Sequence, residues 1–324
     1  MKAVQFTEYG GPEVLKVQEF DAPVPEAKQV VIQIEAIGVN YADTMRREGQ
    51  YVVDTPLPFI PGAEVAGVVE STGSDVTRFS AGDRVVALVG EGGYAEKVTV
   101  DEAGLIPVPE GVDAVHAAAI PLQGLSAYHI LKTMGRIAPG ETVLVHAAAG
   151  GVGLFAVQMA KLMGAGKVIG TAGSEEKREL ARSFGADVVI DYTKDGWAEE
   201  VKEAAGKGRV DLALEMAGGS IFHDTLRTLA PFGRLVIYGV ASGEPAEFSP
   251  MSLMEKNKSV IGFFLPQIMR YPELLQKSLE EMLGWIQTGE IKLHIGGVYD
   301  LQEAPDVHRK LEGRETAGKL ILTP

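Results

Sequence analysis

Apolar positions along this chain follow two rhythms. Over residues 1 to about 122 they come in short β-rich runs punctuated by Gly and Pro: QVVIQIEAIG (29–38), AEVAGVVESTG (63–73), GDRVVALVG (82–90) and GYAEKVTV (93–100). That spacing predicts an antiparallel, partly closed β domain. From Glu141 the pattern changes to apolar strand, amphipathic helix, apolar strand: TVLVHA, GVGLFAVQMAKLM, KVIGTA, EEKRELARSF, DVVIDY, WAEEVKEAA, VDLALEMA, SIFHDTLRTLA, GRLVIYG and SVIGFF. Six short strands between amphipathic helices predict a doubly wound parallel sheet. After about Leu265 comes one long amphipathic segment, YPELLQKSLEEMLGWIQTG, and then a last strand candidate, GKLILTP, expected to return to the first domain. The expected organisation is a β domain begun by residues 1–122, a nucleotide domain over 123–264, and a return to the first domain over 265–324.

The length of 324 residues suits two cores, and the apolar content is that of an ordinary soluble protein. With 30 basic against 44 acidic residues the formal charge is -14, which argues against a nucleic-acid surface. The chain has no cysteine, so disulfides, thiol nucleophiles and thiolate metal sites are out, and a reducing cytoplasm is the expected setting. The opening MKAVQFTEYGG carries no apolar signal segment, and no run reaches the roughly 18 apolar residues of a membrane span.

The glycine cluster in VLVHAAAGGVGLFAVQMAK sits between a strand and a helix. Gly150 and Gly153 supply the last two positions of G-x-G-x-x-G, with Ala148 where the first glycine would stand. Residues without Cβ allow a tight turn and let a pyrophosphate approach helix N–H groups and the positive end of the helix dipole. A NAD-specific site puts Asp or Glu at the end of the second strand to hold both ribose hydroxyls. Here VIGTAGSEEKRE offers Gly173 and Ser174 instead, and Lys177 or Arg178 on the following helix is placed to meet a 2'-phosphate. Both cations are also readable as solvated helix residues balanced by Glu175, Glu176 and Glu179. The missing acid favours NADPH, and a nicotinamide cofactor means hydride transfer.

A catalytic zinc takes three protein ligands, commonly with cysteine among them. This chain has none, and its six histidines lack a close ligand pair; His146 and His129 read as packed helix-side or core rings. An electron-poor conjugated carbonyl is then an easier hydride acceptor than an unactivated alcohol is a donor, because one or two hydrogen bonds accommodate the charge that develops on its oxygen. In GVNYADTMRREGQY the polar candidates are Asn40, equally readable as an Asx turn, and Tyr51, equally readable as a packing ring; Asp43 reads as a helix cap.

These residues resemble the zinc-independent quinone oxidoreductases, the zeta-crystallin branch of the medium-chain dehydrogenase/reductase superfamily. VLVHAAAGGVGLFAVQMAK is similar to its cofactor loop, and GVNYADTMRREGQY, PFIPGAEVAGVV and AGDRVVAL extend the likeness over nearly the whole chain. Ala63 stands where zinc-dependent relatives put a histidine, Val39 to Tyr41 replace their ligand cysteine, and Met45 stands where similar reductases carry a second tyrosine. The resemblance implies a GroES-like catalytic domain, a Rossmann domain, and a homodimer joined near residues 257–266. It implies NADPH as cofactor and a quinone as acceptor, an enone or enoyl thioester being the enzymic alternative and a weakly catalytic NADPH-binding sensor or structural protein the non-enzymic one. Asn40 and Tyr51 match the family's active-site pair. Gly150, Gly151, Val152 and Gly153 match its pyrophosphate loop, and Gly173, Ser174, Lys177, Tyr192, Gly239, Phe264 and Arg314 are assigned to the remaining cofactor contacts.

Overall fold

The computed structural model describes residues 1–206 and 209–324. They fold as two units, Met1–Leu122 with Leu293–Pro324 and Gln123–Lys292.

The first unit opens with a small antiparallel pair, β1 (Lys2–Gln5) and β2 (Lys16–Glu19). The apolar run Gln29–Val39 becomes β3, buried along most of its length because it is flanked by β4 (Glu64–Thr72) and β6 (Lys97–Asp101). Helix α1 (Tyr41–Arg47) follows β3 directly, and β5 (Arg84–Leu88) and β7 (Leu105–Pro107) extend the sheet beyond β4. Short α2 (Ala114–Ala117) leads to α3 (Pro121–His129), where the units divide.

The second unit alternates strand and helix: β8 (Thr142–Val145), α4 (Gly151–Leu162), β9 (Lys167–Thr171), α5 (Glu175–Ser183), β10 (Val188–Ile190), α6 (Trp197–Ala204), β11 (Val210–Glu215), α7 (Gly219–Thr228), β12 (Leu229–Ile237) and β13 (Ser259–Gly262). The strand order is β10-β9-β8-β11-β12-β13 with every neighbour parallel, the order of a Rossmann sheet. Its strands are short apolar runs covered by helices, and Leu144, Ile169, Ala213 and Leu235 are fully buried.

Helices α8 (Leu265–Met269) and α9 (Pro272–Gln287) stay with this unit, so the return to the first domain comes at 293, not at 265. The reason is packing: the apolar face of α9 buries Met282 and Ser278, the latter's hydroxyl lying 3.1 Å from His129 Nε2. The chain then re-enters the first unit as β14 (Ile295–Asp300), α10 (Ala304–Glu312) and β15 (Lys319–Thr323). GKLIL therefore does rejoin the first sheet, whose order is β14-β15-β3-β4-β5-β7 with β6 on β3, antiparallel apart from the β14–β15 pair.

The second unit also buries two imidazoles. His146, at the end of β8, is bracketed by Thr171 Oγ1 at 2.9 Å and Thr225 Oγ1 at 2.7 Å and meets Trp197 edge-on; His129 is bracketed by Thr133 and Ser278. Burial pushes both rings down to about 4, so both are neutral in the folded protein at pH 5, whereas exposed histidine in the unfolded chain is protonated below about 6.5. The unfolded state thus binds more protons in that window, and stability falls as pH falls from 7 toward 4. We expect unfolding to cost about 2 kcal/mol less at pH 5 than at pH 7 for His146 alone, read from urea titrations, with that increment lost in His146→Gln. Equal pH sensitivity in the variant contradicts the assignment.

Candidate functional site

The turn from β8 to α4 is tightly packed against its strand. Gly150 caps the helix in extended conformation (φ -78°, ψ 172°), and the left-handed residue of the turn is Ala147 (φ 48°), one position before the alanine that replaces the motif's first glycine. Gly153 has no alternative: a Cβ there would come within 2.2 Å of the Ala147 carbonyl oxygen and 2.8 Å of Ala148 Cα. Helix and strand are pressed together at this point, as the third glycine of a dinucleotide loop requires. The N–H groups of Gly151, Val152 and Gly153 belong to the first turn, which has no acceptor one turn back, and the cap brings no side chain of its own. They form a donor set suited to a pyrophosphate.

The end of the neighbouring strand β9 is also built of small residues. Gly173 and Ser174 follow β9, and Ser174 caps α5, its hydroxyl accepting the Lys177 N–H at 3.3 Å. A Cβ on Gly173 would lie 3.6 Å from the Tyr192 ring, so Tyr192, just past β10, flanks the same turn. Arg178 is committed elsewhere, to Glu175, Asp191 and the Ala172 carbonyl. Lys177, in the first turn of α5, is half-buried, and burial lowers its ammonium from the ordinary value. Gly239 follows β12 and Phe264 follows β13, so both lie along the same C-terminal edge of the parallel sheet. Arg314 belongs to the first unit, exposed in a left-handed turn (φ 56°) after α10.

In the first unit Asn40 is 4% exposed and ends β3 as the cap of α1. Its amide nitrogen donates to the Gly38 carbonyl at 3.2 Å and to Glu64 Oε1 at 2.9 Å, and its Oδ1 accepts from Lys319 Nζ at 2.8 Å. Both amide hydrogens are thereby used inside the domain. Asp43, the third residue of α1, completes a capping box, its carboxylate accepting the Asn40 N–H at 2.9 Å; full burial raises it to about 6, partly offset by that bond and by Lys319. Tyr51 is half-buried with the Arg46 guanidinium 4.2 Å from its ring centroid; burial raises its hydroxyl, against the pull of Arg46, so it stays protonated at neutral pH.

Sequence reasoning missed the polar chain behind α1. Arg47, fully buried, donates to His308 Nδ1 at 3.2 Å. Arginine has only donors, so Nδ1 must accept and the ring carries its hydrogen on Nε2. That nitrogen meets Tyr94 Oη at 3.0 Å, which leaves the tyrosine hydroxyl to donate to Asp43 Oδ2 at 3.3 Å. Burial, then Arg47, push His308 down to about 3, consistent with the neutral ring this direction of bonding needs. Glu64 and Lys319 were missed as well. The available signal was a charged residue inside an apolar run, Glu64 in AEVAGVV and Lys319 in GKLIL. Among the described residues no cluster of three or more His, Asp or Glu side chains has the arrangement of a metal site.

A parallel sheet in Rossmann order, with a glycine turn at its switch point, joined in one chain to an antiparallel domain built from both termini, defines a two-domain nucleotide-dependent dehydrogenase or reductase. Residues 26–110 match the alcohol dehydrogenase GroES-like domain and residues 151–280 the zinc-binding dehydrogenase domain. The chain is 38% identical over 330 residues to the quinone oxidoreductase of Pseudomonas aeruginosa, covering 100% of this chain and 99% of that one. The structure of Escherichia coli quinone oxidoreductase complexed with NADPH superposes with a TM-score of 0.95 at 34% identity, all of both chains being covered. Quinone oxidoreductase from Thermus thermophilus, solved alone and with NADPH, gives 0.88 at 37% identity, again over the whole of each. The chain belongs to the quinone oxidoreductases of the medium-chain dehydrogenase/reductase superfamily.

Proposed function

We propose that this protein transfers a hydride from NADPH to a quinone. The observation that carries the cofactor is the end of β9, where Gly173 and Ser174 replace a ribose-binding acid and Tyr192 and Lys177 stand beside them. Full-length quinone oxidoreductase relatives, some solved with NADPH, support the acceptor and the cofactor alike.

Bound NADPH supplies the hydride, and solvent supplies the proton that completes reduction to the hydroquinone. The N–H groups of Gly151, Val152 and Gly153 hold the pyrophosphate against the positive end of α4, and Ser174 and Lys177 bind the 2'-phosphate beside Tyr192. Gly239 and Phe264 would bound the nicotinamide side of the same sheet edge. Tyr51, protonated at neutral pH, donates to the acceptor oxygen as charge builds there, while Asn40, whose amide hydrogens go to Gly38 and Glu64, holds the loop that carries it. The reaction is read as independent of zinc, because the chain lacks cysteine and the Glu64 carboxylate is already paired with an ammonium. A homodimer through β13 is proposed on the ground that this strand is the edge of its sheet, with a neighbour on one side only among the described residues. The absence of cysteine fits a cytoplasmic setting, and among the described residues no helix is long and apolar enough to cross a membrane.

The function is tested by NADPH consumption with 1,4-benzoquinone, 9,10-phenanthrenequinone, an alkenal and a crotonyl thioester in parallel. Quinone turnover should exceed the others by orders of magnitude; faster thioester or alkenal reduction makes the chain an enone reductase, and no turnover leaves a binding protein. In the same assay Tyr51→Phe should lower quinone kcat about tenfold or more, and unchanged kinetics make Tyr51 a packing ring. Lys177→Ala should weaken NADPH about 10- to 100-fold, from loss of roughly 1.4–2.8 kcal/mol of phosphate pairing, and leave NADH nearly untouched. Equal losses for both cofactors remove Lys177 from that role.

A further inference from the structure

The first sheet brings three polar positions, two of them charged, to one end by register alone. Leu320 of β15 lies opposite Val39 of β3, so the next pair in that antiparallel ladder sets Lys319 against Asn40. Ile37 lies opposite Val65 of β4, which sets Gly38 against Glu64. Gly38 is required there: a Cβ would fall 2.5 Å from Glu64 Oε1 and 2.6 Å from the Ala118 carbonyl oxygen. Lys319 is 2% exposed and Glu64 fully buried; their side chains form a direct ion pair, and Glu64 Oε2 also takes the Leu122 N–H at 2.8 Å. Taking both charges out of water costs several kcal/mol each, and apolar residues of similar volume stabilise a core at least as well. Stability alone therefore gives no reason for this pair.

The geometry supplies one. Asn40 touches both members of the ion pair, its carbonyl oxygen toward the ammonium and its nitrogen toward the carboxylate. Turning the amide over would set N–H groups against the ammonium and oxygen against the carboxylate. We propose that Lys319, with Glu64, is a positioning residue for quinone reduction: the pair fixes the orientation of the Asn40 amide and so holds the loop from residue 40 to residue 51 in the form that presents Tyr51. Burial drives the Lys319 ammonium below its ordinary value, against the opposing pull of Glu64 and Asp43. The proposal rests on the reading of this chain as a quinone reductase for its kinetic consequence, and on the hydrogen bonds to Lys319 and Glu64 for the state of Asn40.

The test compares the wild type with Lys319→Arg, Lys319→Met and the double variant Glu64→Gln/Lys319→Met, which removes both charges and so leaves no unpaired buried charge should Lys319→Met fail to fold. With 1,4-benzoquinone the double variant should lose about 100-fold in kcat while KM for NADPH stays within about twofold, and Lys319→Arg should recover at least tenfold of that loss. The side-chain amide resonances of Asn40, assigned in the wild type, should move or broaden in the double variant and return in Lys319→Arg. A folded double variant with kcat within about threefold of wild type, or with the Asn40 resonances unmoved, overturns the proposal. If the wild type itself reduces no quinone, the functional reading fails, while the Asn40 resonances still decide whether Lys319 sets that amide.

Discussion

The contact on which the rest of the structure depends is the one between α4 and the turn that leads into it. Gly153 admits the Ala147 carbonyl at a distance no side chain tolerates, and Ala147 itself sits in left-handed backbone at a cost of about 1 kcal/mol or more. The return for that strain is a helix whose first N–H groups begin directly at the end of the central strand. At the point where strand order reverses, between β8 and β11, this sets backbone donors and an aligned dipole together, the arrangement suited to an anion. Buried His146 braces the same strand end through Thr171 and Thr225, tying the turn to β9 and α7.

The first unit solves a different problem. It carries Asp43, Glu64, Arg47, His308 and Lys319 in its interior, each of which is expensive to bury unless its hydrogen bonds are made. The solution is directional. Arg47 fixes the tautomer of His308, His308 fixes the hydroxyl of Tyr94, and Tyr94 together with the Asn40 N–H fixes the Asp43 carboxylate. Elements far apart in sequence, α1 and α10 among them, are thereby locked into one arrangement around the Asn40 loop. Such a network specifies a single conformation more than it adds net stability.

How much of this was legible in the sequence follows from how local each cause is. The parallel sheet and its six strands were readable because short apolar runs alternating with 3.6-residue periodicity have few other solutions. The glycine turn between β8 and α4 was readable because its glycines are clustered and their spacing has a steric reason. The return at 265 was misplaced because α9 has the amphipathic pattern of any surface helix, and nothing in that pattern says which core it covers; Met282 and Ser278 decide it only in three dimensions. The role of Asn40 stayed open for the same reason. Its partners are Glu64 and Lys319, 24 and 279 residues away, and only strand register brings them to it.

The central claim is that a reduced dinucleotide lies along residues 150–153 with its 2'-phosphate at Ser174 and Lys177. A crystal structure of the protein with NADPH tests this most directly. The account predicts pyrophosphate oxygens within hydrogen-bond distance of the Gly151, Val152 and Gly153 N–H groups and the adenosine phosphate beside Lys177. NADPH bound at another place with this turn empty, or a catalytic zinc ligated beside its nicotinamide, would contradict it.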